Sequence, residues 1–119
     1  MNQTQSDTYQ DVRFECDKAV FLHRRALKIS SLRARTTERK RAQTSWESAG
    51  ARLSKGGGDL DTFRYFCTST HLLSLGGELQ RYAESWKLPA RYWKALTDDL
   101  TSPPGSRVNL VLRQLSQGI

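Results

Sequence analysis

Asp7–Leu53 reads DTYQDVRFECDKAVFLHRRALKISSLRARTTERKRAQTSWESAGARL, and its reading decides the fold. The stretch holds no Pro, and its only Gly is Gly50. Tyr9, Val12, Cys16, Ala19, Val20, Ala26 and Leu27 follow the three-and-four rhythm of one helical face. A second, narrower stripe holds Phe14 and Phe21. Between and beyond the stripes lie Arg13, Asp17, Arg24, Arg25, Lys28, Arg33 and Arg35. The pattern predicts a long amphipathic helix with one buried face and a basic face turned to water or to a partner.

Thr36-Thr37 is where this segment is expected to break or bend. Two β-branched hydroxyl residues lower helix propensity, and either can cap a new helix. Beyond them Ala42, Trp46, Ala49 and Leu53 resume the rhythm. Two helices meeting near Thr36 are therefore expected. Asp7 or Thr8 is the expected first cap, with residues 1–6 a frayed polar tail.

Gly56-Gly57-Gly58 reads as a flexible connector spanning roughly 54–59. Asp59 or Asp61 then offers a cap for a helix carrying Leu60, Phe63, Phe66 and Cys67. Leu72, Leu75, Leu79, Tyr82 and Trp86 continue with regular spacing, interrupted by Gly76-Gly77. Each Gly costs about 1 kcal/mol against Ala in a helix. Either the helix breaks there or a neighbour approaches closely. Leu88-Pro89 marks a further boundary, followed by a short helix with Tyr92, Trp93, Leu96 and Leu100. Thr101-Ser-Pro-Pro-Gly105 reads as a turn or rigid loop. Val108, Val111, Leu112 and Leu115 fit a last helix; Val108, Leu110 and Leu112 also fit a strand, which would lack a partner.

At 119 residues the chain is expected to form a single helical domain, 1–119. The fold class is all-α: a small bundle of four to five helices with a long N-terminal amphipathic helix. The net charge of +7 favours acidic partners without choosing among them. No apolar run approaches a membrane span, and the N-terminus lacks a basic start and apolar core, so a cytoplasmic protein with no membrane is expected. Cys16 and Cys67 read as small core residues, although a disulfide between them is open in principle. His23 and His71 have no companions at metal-ligand spacing, so no metal and no cofactor is expected.

Candidate chemistry is sparse. Gly56–Gly58 lacks the Lys-Ser/Thr of a phosphate cradle. The carboxylate pairs Asp59/Asp61 and Asp98/Asp99 sit at expected helix ends, where capping explains them. No nucleophile, base and acid converge, so a non-enzyme is expected. The basic run Arg24, Arg25, Lys28, Arg33, Arg35, Arg39, Lys40 and Arg41, with Glu38 its sole acid, makes a nucleic-acid-binding protein the alternative. Residues 82–96 loosely mimic a helix-turn-helix but lack the usual turn Gly. A first helix with two apolar faces can serve its own core with one and another chain with the other. The partner-binding set read from this face is Phe14, Phe21, Arg24, Arg25 and Lys28. A homodimer through the same helix is allowed.

The long helical N-terminal half around Asp11-Val-Arg-Phe-Glu-Cys-Asp-Lys-Ala-Val-Phe-Leu-His-Arg-Arg25, followed by a Trp/Tyr-containing helical C-terminal half, resembles the QslA-type quorum-sensing antiactivators, small all-helical bacterial proteins. The resemblance covers most of the chain. It implies a protein that binds a LuxR-type transcription activator and blocks its dimerisation and DNA binding. The contact residues above come from the helical faces and not from the resemblance.

Overall fold

The computed structural model describes residues 3–55, 59–86 and 107–116. Among them are five helices: α1 Gln3–Leu27, α2 Leu32–Ser54, α3 Leu60–Leu72, α4 Gly76–Trp86 and α5 Arg107–Ser116. No strand occurs among the described residues. The protein is a small all-α bundle opened by a long amphipathic helix, α1, which extends ~37 Å at 1.5 Å per residue.

α1 begins at Gln3, four residues before the expected cap. Gln3, Thr4, Gln5 and Ser6 include no Gly or Pro, so nothing stops the ladder from running through them. The break between the first two helices also lies elsewhere than expected. It falls at residues 28–31, and Ser31 is the N-cap of α2, its backbone extended and its hydroxyl accepting from the Ala34 N–H at 3.4 Å. Arg35 secures the turn by donating from Nε (3.0 Å) and Nη2 (2.8 Å) to the Ile29 carbonyl. Thr36 and Thr37 sit inside α2. Their hydroxyls donate to the carbonyls of Leu32 and Arg33, which accommodates them within a helix.

The short turn folds α1 back on α2, and α3 packs along the other flank of α1. The buried sides of α1 and α2 include the small residues Ala19, Ala26, Ala42, Ala49 and Gly50, which suit close helix packing. Trp46 fills the centre. It stacks on Phe66 (centroids 5.4 Å, planes 15° apart), meets the Tyr82 ring edge-on at 6.0 Å, and donates from Nε1 to Thr70 Oγ1 at 2.8 Å. One indole thereby joins α2, α3 and α4 while its only polar atom is satisfied.

Asp59 caps α3, accepting from the Thr62 N–H (3.0 Å) and hydroxyl (2.7 Å). α3 ends in a Schellman motif: Leu75 N–H donates to Thr70 O and Ser74 N–H to His71 O, both at 3.0 Å. Ser74 occupies the left-handed position, φ 58°, where Gly is usual. Both readings of Gly76-Gly77 hold together. The rhythmic stretch breaks at residues 73–75, and α4 starts at Gly76. A Cβ on Gly76 would also fall 2.5 Å from Arg107 Cγ and 2.9 Å from its Cβ, so this Gly admits the start of α5. The final element is a helix, with Val108, Asn109 and Val111 buried.

Cys16 and Cys67 are free, buried thiols. Burial raises both to about 12, so neither ionises near neutrality. The boundary at Pro89, the short helix after it, the Thr101–Gly105 turn, Asp98/Asp99 and Trp93 lie outside the described residues, as does Gly56–Gly58.

Candidate protein-binding face

The geometry of α1 follows from 100° per residue. Val12, Cys16, Ala19, Leu22 and Ala26 form its buried side. Phe14 and Phe21, seven residues apart, project from the opposite side and are 66 % and 62 % exposed. Leu27, assigned to the inward stripe by spacing, is 58 % exposed, because α1 ends there and no described helix covers it. Leu22, which the stripe omitted, is buried in its place.

The five sequence-derived site residues share the outward half of α1 and its exit, but not one pocket. Phe21 and Arg24 line a cleft of about 590 Å³ between α1 and α3. Val20, Tyr65 and Leu72 supply its apolar walls, while Asp17, Asp61 and Arg64 stand at its rim. Phe14 leans the other way, into a smaller cleft of about 290 Å³ with Asp11, Arg52 and Lys55. Lys28 lies exposed in the turn after α1.

Arg25 has a structural task as well. Its guanidinium stands 5.8 Å from the Phe21 ring centroid and donates from Nε to Glu38 at 3.0 Å. Arg41 binds the other oxygen of Glu38 at 2.9 Å. The hydrogen bond from Arg25, reinforced by Arg41, holds the Glu38 carboxyl below its ordinary value against the opposing effect of burial. The single acid in the basic run therefore ties the exit of α1 to α2. Among the described residues, Arg24, Lys28, Arg33, Arg39 and Lys40 make no ion pair, and they gather toward this closed end of the hairpin. Arg39 faces His23, whose pKa is lowered by burial first and then by that charge.

The sequence pattern does not mark the α3 wall of the larger cleft. Tyr65 donates its hydroxyl to Asp17, packs edge-on against Tyr9 at 6.4 Å, and lies beneath the Arg13 guanidinium, 5.7 Å from the ring centroid. Burial, then Asp17, pushes its pKa up to about 12. Spacing places Leu72 among the inward residues, but it is 47 % exposed, and Leu73 takes the buried position. The signal was present in the adjacent pair Leu72-Leu73, only one of which can face the core.

Among the described residues, no three His, Cys, Asp or Glu side chains are grouped to hold a metal, and no helix is long and apolar enough to cross a membrane. No protein-family model, curated protein or solved structure matches the chain.

Proposed function

We propose that this protein is a non-enzymatic regulator that acts by binding another protein through the outward face of α1. The exposure of Phe14 and Phe21 carries the reading. Two large rings on one face, next to the unpaired cations Arg24 and Lys28, have the composition of an interface centre with a charged rim. A competitor that covers the subunit contact of a dimeric target shifts that target to its monomer by mass action. The basic rim speeds encounter with an acidic partner. Assignment of the target as a LuxR-type activator, with loss of its dimerisation and DNA binding, rests on the QslA-type resemblance. The test is calorimetric titration of the purified activator ligand-binding domain with wild type and with a Phe14→Ser, Phe21→Ser variant. Binding by wild type alone is expected, with both proteins equally folded by circular dichroism. Equal binding by both overturns the assignment of the face.

The cations at the hairpin end favour a second reading, binding to nucleic acid. It requires retention on random duplex DNA with a steep loss of affinity as salt rises. The protein-binding reading expects no retention near physiological salt.

A further inference from the structure

α1 is electrically polarised along its length. Residues 7–17 carry Asp7, Asp11, Glu15 and Asp17 against Arg13 alone. Residues 18–28 carry Lys18, Arg24, Arg25 and Lys28 and no acid. The sign changes between Asp17 and Lys18, which is also the midpoint between Phe14 and Phe21. A two-fold axis through that point, perpendicular to the helix, brings the acidic half of one α1 against the basic half of another. The same operation sets each Phe14 against the Phe21 of the other copy.

We propose that a second copy of this chain occupies the outward face in the free protein, α1 against α1 in opposite directions. The contact is isologous, as in most small homo-oligomers. Charge decides the orientation, because a parallel pair would set acid on acid and base on base. The Phe rings are about 10.5 Å apart along the helix, so the axis generates two aromatic pairs, one on each side of it. Asp7 then lies opposite Lys28 of the second copy at either end.

Other local contacts make the association weak. Asp11 already pairs with Arg52 at 2.8 Å and Arg25 with Glu38, and Asp7 also has an interaction within its own chain, which reduces the charge they offer outward. Asp17 and Lys18 each approach their own copy at the axis; Asp17 is partly neutralised there by Arg13 and by the Tyr65 hydroxyl. One helix face is also a small interface. The consequence for regulation rests on the proposed partner face, although the dimer itself does not: self-association covers Phe14 and Phe21, and a target must displace the second copy.

Sedimentation equilibrium of the full chain alone, from micromolar to millimolar concentration, tests the dimer without any target. A reversible monomer–dimer equilibrium that weakens as salt rises is expected. Phe14→Ser with Phe21→Ser should leave a folded monomer. Asp7→Lys and Lys28→Asp should each weaken association several-fold, and the double variant should restore it. A wild type monomeric at millimolar concentration overturns the dimer and leaves the target-binding reading intact. A dimer indifferent to the Phe changes places the contact elsewhere. Failure of the double variant to recover overturns the antiparallel orientation.

Discussion

Trp46 and Phe21 are both large aromatics on long amphipathic helices, yet they meet opposite environments. Trp46 is fully buried, stacked between helices, with its N–H bonded; Phe21 is mostly exposed, with Arg25 beside its ring. The difference comes from what faces each helix. α3 and α4 converge on Trp46, whereas no described helix covers the outer side of α1. Aromatic content alone does not separate a core from a docking surface.

Trp46→Ala should produce the largest effect, a loss of about 3–5 kcal/mol of stability, seen as a lower midpoint in urea. A much smaller loss would mean the interior of the bundle can collapse around the gap, and the contrast with the outer face would fade. Gly76→Ala comes next. Its new methyl meets the aliphatic stem of Arg107, so a loss of about 1–3 kcal/mol is expected, with reduced amide protection in α4 and α5.

Glu38→Gln probes the boundary between the two environments. Because the folded-state pKa of Glu38 is lowered, its contribution is present above the ordinary Glu range and is lost as pH falls through the folded value. The Tm of wild type should exceed that of the variant at neutral pH, and the gap should close in acid. A pH-independent gap would show that Arg25 and Arg41 do not act through the charge of Glu38. Ser74→Gly relieves the left-handed residue and should raise stability by about 0.5–1 kcal/mol.

The smallest effect on folding belongs to Phe14→Ser with Phe21→Ser, within about 0.5 kcal/mol, as is usual for exposed positions. A loss near that of Trp46→Ala would erase the distinction between the two regions. An unchanged melt with lost association would sharpen it.

Much of the architecture was legible because helical period and end signals are local. Val12, Cys16, Ala19 and Ala26 mark the buried side of α1, Ala42, Trp46, Ala49 and Leu53 that of α2, and Asp59 the cap of α3. The outward placement of Phe14 and Phe21 follows from the same angles. The joint near Thr36 did not follow, because Thr hydroxyls can either cap a helix or bond back within one, and Ser31 with Arg35 decides between these outcomes. The inward assignment of Leu72 failed for a related reason: α3 ends at that residue, so the rhythm on either side belongs to two helices with different axes.

By itself, the sequence determined that the chain is helical, which side of each long helix is apolar, and that α1 has greasy surface on two sides with acid before base. Those properties depend on residues a few positions apart. Only the tertiary structure decided that Tyr65 and Leu72 wall a cleft beside Phe21, that Glu38 binds two arginines, and that Gly76 gives way to Arg107. Apart from the neighbouring pair Glu38 and Arg41, those relations join residues distant along the chain, which only the packing of one helix on another brings together.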